Sequence, residues 1–413
     1  MTEAAAIVFE WLCAALCVVF AWSSLVAAAG LLAPRRKPPK AARKLRFAIL
    51  VCARNEEHVV ARPVESILAA DYPAEAREAI VLADNCTDGT AAAARAAGAT
   101  VWEKTTPGSG KGDVLAWGVE KAVASGKFDA IAVFDADNTV SRGWLEAMND
   151  TLCSGEEVAT GRRFASNARH NAISGWYAVY WSVMNELSNK VRTRLGLSGK
   201  LTGTGFAFLV SALKDGKWQT RTLTEDVEFT VQCNLAGKRI GYVPEAEYAD
   251  EQPIDARHMW RQLCRWATGC WQVARFYFAP WIKTMAKRPS LRLFDCFFAI
   301  LTGMSVAFIL LSDFLMFAFR LFSGDGAERP AAVFGGVLAF VCAAGIVTAA
   351  AACAMSAPSG DFGEIPAAKR FRTTILPVVS FPVFSLILSA TVLWSLVRPT
   401  RRWRPIPHGD TAV

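Results

Sequence analysis

The stretch that most constrains this 413-residue chain is Ile131-Ala-Val-Phe-Asp135-Ala-Asp137-Asn138. An apolar run with β-branched residues ends abruptly in two carboxylates one residue apart, as in a buried strand that delivers acids to its carboxyl end. In open α/β sheets ligands collect at that end. Carboxylates at i and i+2 of an extended segment point the same way and can share one hard divalent cation. Mg²⁺ or Mn²⁺ held by so few carboxylates normally bridges substrate phosphates. The plain alternative is an Asp-rich turn closing a strand, so the neighbouring segments must decide.

From Leu45 to about Asp255 the pattern is that of an α/β domain. Phe47 to Cys52, Ala79 to Leu82 and Thr100 to Trp102 read as strands. Glu57 to Ala70, Thr90 to Gly98 and Asp113 to Ser125 read as helices. Strand and helix alternate, which predicts a mostly parallel sheet whose post-strand loops share one rim.

Those loops carry the chemistry. Asp84 stands at a strand end, where a carboxylate can accept from a heterocyclic N–H, while Asp88 and Thr90 read equally well as turn and N-cap residues. Pro107-Gly-Ser109-Gly-Lys111-Gly112 is not a Walker loop, because Thr105 and Gly112 stand where that motif needs Gly and Ser or Thr. It remains a glycine loop with one Lys at a helix start, suited to a diphosphate or simply a flexible surface loop.

The two ends of the chain are far more apolar, which explains a mean hydropathy of +0.25. Trp11 to Ala33 carries no charge and is long enough for a spanning helix; it reads as an anchor rather than a cleaved leader. Arg35, Arg36, Lys37, Lys40, Arg43 and Lys44 follow, marking the cytoplasmic side and suiting anionic headgroups. The net charge of +8 therefore points to a lipid bilayer and an anionic substrate, with no nucleic-acid partner. Further spans are expected over Leu293–Phe319, Ala331–Met355 and Ile375–Val397, the last with Pro377 and Pro382 near its start. Asp295 is close enough to a span end to be interfacial. Asp313 faces either a polar path or a helix end. Three crossings would put Arg398, Arg401, Arg402 and Arg404 on the wrong side, so the proline segment is expected to be re-entrant or interfacial. The eleven cysteines are scattered, without zinc spacing, as in a reducing compartment.

Six motifs in order resemble the family 2 glycosyltransferases of GT-A fold, specifically the membrane-embedded branch of hyaluronan, chitin, cellulose and poly-N-acetylglucosamine synthases. They are Arg54-Asn55-Glu56, Asp84-Asn-Cys-Thr-Asp88, Lys111-Gly112, Asp135-Ala-Asp137, Thr224-Glu225-Asp226 and Gln262-Leu-Cys-Arg265-Trp266. The resemblance runs from about Arg46 to Trp266. It implies a UDP-sugar donor bound by Ala53 to Glu56, by Asp84 at the uracil and by Lys111 at the diphosphate. It further implies Asp135 and Asp137 at an Mn²⁺ or Mg²⁺ ion, with Asp137 the direct ligand, and Gln262, Arg265 and Trp266 closing the site.

By the same resemblance Asp226 is the general base, supported by Glu225, and displacement inverts the anomeric carbon. Thr224-Glu225-Asp226 equally suits a helix start, and the two readings are compatible. Gly203, Thr204, Gly205 and Phe206 are expected at the acceptor, with tight packing under a strand as the alternative. Trp266 is expected beneath the acceptor sugar, and Trp271 and Trp281 at the membrane interface.

The implied function is UDP-GlcNAc- or UDP-glucose-dependent extension of a β-linked growing polysaccharide, with translocation. Single transfer to a lipid-linked or oligosaccharide acceptor is the alternative. A non-catalytic binding module would have no need of so many acids. The expected organisation is a transmembrane helix over 1–36, a cytoplasmic GT-A domain over 37–255, and interface helices over 256–292. A transmembrane region over 293–397 and a basic tail over 398–413 complete it. The whole would be a multi-pass plasma-membrane protein.

Overall fold

The computed structural model describes residues 3–35, 37–108, 110–322, 328–356 and 375–400. Arg36, Ser109 and the tail residues Arg401, Arg402 and Arg404, used above, lie outside the described residues.

The chain opens with α1 (Glu3–Leu32), β1 (Phe47–Ala53), α2 (Ala61–Leu68), β2 (Arg77–Asp84), α3 (Thr90–Ala96) and β3 (Thr100–Lys104). It continues through α4 (Lys111–Ala124), β4 (Ala130–Asp135), β5 (Thr139–Val140), α5 (Trp144–Cys153), β6 (Val158–Ala165) and α6 (Ala172–Val183). A π-helical turn, Met184–Asn189, leads into α7 (Lys190–Arg194), β7 (Phe206–Leu209), α8 (Glu225–Leu235) and β8 (Ile240–Asp250). The helices α9 (Ala256–Lys287), α10 (Leu291–Phe322), α11 (Glu328–Met355), α12 (Leu376–Val379) and α13 (Phe381–Val397) follow.

The strands form one sheet in the order β3-β2-β1-β4-β7-β6-β8-β5. The pairs β1/β2, β1/β4, β2/β3 and β6/β8 are parallel, whereas β7 runs antiparallel to β4 and β6, and β5 to β8. The sheet is mixed and mostly parallel, as the strand-helix alternation predicts. Both faces are covered, so β1 is apolar throughout rather than alternating. Phe47, Ile49 and Val51 join one core with Val64, Ile67 and Trp144. Ala48 and Leu50 join the other with Val114, Val119, Phe208 and Phe229.

The helix expected from Glu57 begins four residues later, at Ala61. The N–H groups of Glu56 and Glu57 are taken by Thr90 Oγ1 (2.8 Å) and Asp88 Oδ2 (3.3 Å), and Glu57 in turn accepts from Gly89 N–H. Residues 57–60 form a turn instead, in which the Val59 and Val60 N–H groups both donate to the Glu56 carbonyl (3.1 and 3.0 Å) before the regular helix begins.

The apolar ends pack on the sheet domain through specific polar contacts. Asp295 is fully buried, held by Arg192 (2.9 Å) and by the Trp22 indole (3.0 Å), so α1, α7 and α10 meet on one carboxylate. Among the described residues one helix, Ala331–Met355, is long and apolar enough to cross a membrane; the α10 pair Leu291–Thr302 and Met304–Ala318 qualifies only together, bent by 53°. Cys17–Leu32 and Phe381–Val397 are apolar but shorter. The last expected span is divided at Ser380, with a proline opening each half. The basic stretch after α1 does not wait for headgroups alone: Arg35 pairs with Glu245, Arg43 with Asp129 and Lys44 with Glu146.

Candidate active site

The parallel strands β1, β2 and β4 finish on one rim, with Ala53 beside Ala83 and Cys52 beside Asp135. Above it lies a cavity of about 700 Å³. The strand ends supply Ala53, Arg54, Glu56, Asp84, Asp135 and Asp137 to its wall; α4 supplies Lys111, the segment before β7 Gly203, α8 Glu225 and Asp226, and α9 Gln262, Arg265 and Trp266. Residues spread over more than two hundred positions of sequence therefore share one space.

At its centre the Lys111 ammonium donates to Asp135 and to the Gly203 carbonyl (2.7 Å), and lies 3.9 Å from Glu225. Burial opposes its charge, but Asp135 and Glu225 outweigh that and hold it above the ordinary lysine range. Glu225 and Asp226 open α8, where the helix N-terminus favours acids. Burial nevertheless pushes Glu225 up to about 7 against the pull of Lys111, with Asp226 adding to the rise. Burial raises Asp226 as well, against the Val227 N–H and the charges of Lys111 and Arg265. A carboxyl raised to about 7 in a cavity, as Glu225 is, is poised to exchange its proton near neutral pH.

The loop before α8 is tied down by Glu228, fully buried, which accepts from the N–H groups of Arg221 and Thr222 (both 2.8 Å) and from the Tyr277 hydroxyl (2.8 Å). Across the cavity, α9 approaches so closely that a Cβ on Gly269 would stand 2.4 Å from Thr224. Thr224 precedes α8 but its side chain does not cap the helix. Its Oγ1, like Gln262 Oε1, is buried without a hydrogen-bond partner among the described residues. Orphaned polar atoms on a cavity wall are what a bound ligand would satisfy.

Other contacts define the donor end. Asp84 lies 3.7 Å from Arg54 and accepts from Asn85 (2.8 Å). Asp137 accepts from the Glu251 N–H at 3.1 Å. Sequence reasoning passed over Asn138, whose Oδ1 accepts from the Asp135 N–H (3.0 Å) and from Thr204, and so shapes the turn between the two aspartates. It also missed Arg163, which binds Asp250, lies 3.7 Å over the Trp181 ring and donates to the Thr202 carbonyl. Consecutive arginines inside an otherwise uncharged strand were the available signal.

Four expected site residues do not line the cavity. Phe206 is fully buried and stacks on Phe208 and Trp218, so it offers no face to a sugar. Thr204 is spent on Asn138 and the Asp135 N–H. Gly205, at φ +63°, lies where a Cβ would fall 2.0 Å from the Tyr248 ring, the packing alternative in its plainest form. Asn55, at φ 59°, accepts from Thr87 N–H and shapes the turn. Trp266 does reach the cavity, stacked on Tyr180 and edge-on to Tyr177 and Trp181. Trp271 and Trp281 pack on Phe308 and Phe297 of α10.

A mixed, mostly parallel sheet with an acid-lined cavity at its strand ends agrees with the GT-A fold expected from the motifs. The chain belongs to the "Glycosyltransferase like family 2", which matches residues 44–269. It is 27% identical over 253 residues to a beta-monoglucosyldiacylglycerol synthase of Synechocystis, covering 57% of this chain and 50% of that one. It is 24% identical over 241 residues to a poly-beta-1,6-N-acetyl-D-glucosamine synthase of Staphylococcus aureus, covering 57% of each. The matches span about half the length of these curated relatives. A mannosyltransferase of Pyrobaculum calidifontis, solved with GDP-Man and Mn²⁺, shares the fold with a TM-score of 0.56 and 18% identity, over 94% of this chain and 99% of that one.

Proposed function

We propose that this chain transfers a sugar from UDP-GlcNAc or UDP-glucose to an acceptor hydroxyl, with inversion, at a membrane. The observation that carries the proposal is that Asp137, Lys111 and Asp226 line one cavity although they come from three separate elements. Asp84 accepts from the uracil N–H, and Lys111 and Arg265 face the diphosphate. Asp226 removes the acceptor proton as the acceptor oxygen bonds to the anomeric carbon, and the electrons of the breaking bond leave with UDP. Glu225 keeps Lys111 charged and in place. An α-linked donor gives a β-linked product.

Among the described residues no three His, Cys, Asp or Glu side chains gather as a metal site. Two hard carboxylates on the cavity wall, Asp135 and Asp137, nevertheless suit Mg²⁺ or Mn²⁺ and would hold such an ion beside the donor diphosphate. Such an ion, when bound, offsets the charge developing on the leaving UDP.

Repeated transfer would extend a β-linked polysaccharide. Gln262, Arg265 and Trp266 on the cavity wall support that reading, as does the cavity's continuation past Ser23 and Ala27 of α1, Ile300 of α10 and Leu388 of α13. The membrane reading is supported by exposed apolar residues on α11, Val333, Phe340 and Val347 among them. A second reading, one addition to a lipid-linked acceptor, is favoured by the apolar wall of Val183, Met184 and Leu187. The length of the product separates the two.

The test is UDP release by the purified protein across a panel of UDP-sugars with Mn²⁺. Asp226→Asn is expected to lower turnover by about 10²- to 10⁴-fold while leaving UDP binding intact. Normal turnover by that variant would remove Asp226 as the base.

A further inference from the structure

The wall of the cavity also carries a cation that the transfer step does not use. Lys200 precedes β7, and its backbone is held on both sides by Asn189, which accepts from its N–H (2.8 Å) and donates to its carbonyl (3.0 Å). The side chain crosses to α10, where Nζ donates to the Ala299 carbonyl at 3.2 Å. Just beyond, α10 bends between Thr302 and Met304. Leu201, the next residue, donates its N–H to Thr230 Oγ1 (3.1 Å), and that hydroxyl donates to the Asp226 carbonyl (2.9 Å). Lys200 therefore stands one residue and one helical turn from the group that faces the acceptor.

Its charge is poorly compensated. The acid acting on it, Asp295, is already bound by Arg192 and Trp22, and Arg192 repels it. Burial first, then Arg192, brings its pKa down to about 8, which still leaves an ammonium at neutral pH. This half-buried ammonium, whose bond among the described residues is to one carbonyl, is a place where an anion would be stabilised. The same cavity is lined by Thr302, whose hydroxyl donates to the Phe298 carbonyl (2.8 Å) and meets Ser23 Oγ (2.7 Å), and by the apolar Met184 and Leu187.

We propose that the acceptor is a sugar joined to a lipid through a phosphate, with the phosphate on Lys200 beside Thr302, the first links of the lipid along Met184 and Leu187, and the sugar hydroxyl toward Asp226. This rests on the reading of Asp226 as the base and adds the acceptor's chemical class. It holds for a lipid-linked chain that is extended and for a single addition alike.

Three acceptors bearing the same sugar test it: a long-chain alkyl phosphodiester, a neutral long-chain alkyl glycoside, and a methyl phosphodiester without the chain. The donor is the UDP-sugar that gives fastest UDP release. The long-chain phosphodiester is expected to have the highest kcat/KM. Lys200→Met should lower its preference over the neutral glycoside by about tenfold or more, the worth of one charge-assisted hydrogen bond, and Lys200→Arg should keep it. A preference unchanged in Lys200→Met, with both acceptors slowed alike, means a structural lysine and overturns the proposal. Equal use of the methyl phosphodiester overturns it too, by removing the lipid. Loss of the base reading shows separately, as an active Asp226→Asn, because the acceptor preference is read in Lys200 variants alone.

Discussion

The Lys111 ammonium joins the Asp135 carboxylate to the Gly203 carbonyl, fastening the end of β4 to a segment where a Cβ on Gly203 would stand 3.8 Å from Asp226 Oδ2. Its removal should act twice. Lys111→Met deprives the diphosphate of a cation and leaves Asp135 and Glu225 facing each other uncompensated. UDP affinity is expected to fall about tenfold or more, the worth of a charge-assisted contact. The acid limb of the pH-rate profile should also move upward, because the Lys111 charge lowers Asp226 as well as Glu225. Calorimetry with UDP and a pH series check the two effects independently; a weaker UDP complex with an unmoved acid limb would unlink Lys111 from the acids.

Activity and stability are expected to respond to pH in opposite directions. Burial holds both Glu225 and Asp226 above ordinary carboxylates, so turnover should rise with pH as Asp226 loses its proton. For stability the sign reverses. Glu225 binds its proton more tightly folded than unfolded, so folding is favoured below the ordinary value and loses that contribution as pH rises from 4.5 to about 7. Thermal unfolding of the wild type and of Glu225→Gln across this window checks it, the variant showing the flatter dependence. Equal slopes would mean that Glu225 titrates normally.

Asp295 gives a stability prediction outside the chemistry. Arg192 and Asp295 are both almost wholly buried, and Trp22 adds a third element to the contact. Truncating one partner strands the other charge, which typically costs roughly 3–5 kcal/mol. Arg192→Met should lower Tm in detergent and loosen α1 from α10, while Arg192→Met with Asp295→Leu should recover much of the loss. A double variant as unstable as the single one would show that packing, not charge, is at stake.

The rim of the site was legible because strand ends announce themselves: an apolar run stops, and Asp84 or Asp135 stands where it stops. The acids of α8 were legible for the same reason at a helix start. What failed was judging depth. Because the sheet is covered on both faces, β7 shows no alternation that would tell which of its residues meets solvent, and Phe206 was assigned to a sugar that it cannot touch. The role of Arg163 was hidden because its partners, Asp250, Trp181 and Thr202, are far away in sequence. Counting spans by length alone overlooked the bend at α10, whereas Pro377 and Pro382 marked the last segment, which is divided at Ser380, as irregular in advance.

Phe206 supplies the last prediction. It packs against both Phe208 and Trp218, at ring separations of 6.2 and 6.1 Å, and is fully buried. A residue so placed contributes to folding, with loss of the whole ring costing roughly 3–5 kcal/mol and a shorter aliphatic replacement less. Phe206→Leu is therefore expected to lower Tm while leaving the KM for acceptor near its wild-type value. Trp266, which does face the cavity, should behave the other way: Trp266→Leu raises the acceptor KM more than it lowers Tm. Measuring Tm and acceptor KM for the pair settles which aromatic meets the sugar. A KM raised tenfold in Phe206→Leu at unchanged Tm would restore Phe206 to the acceptor site and contradict the packing described here.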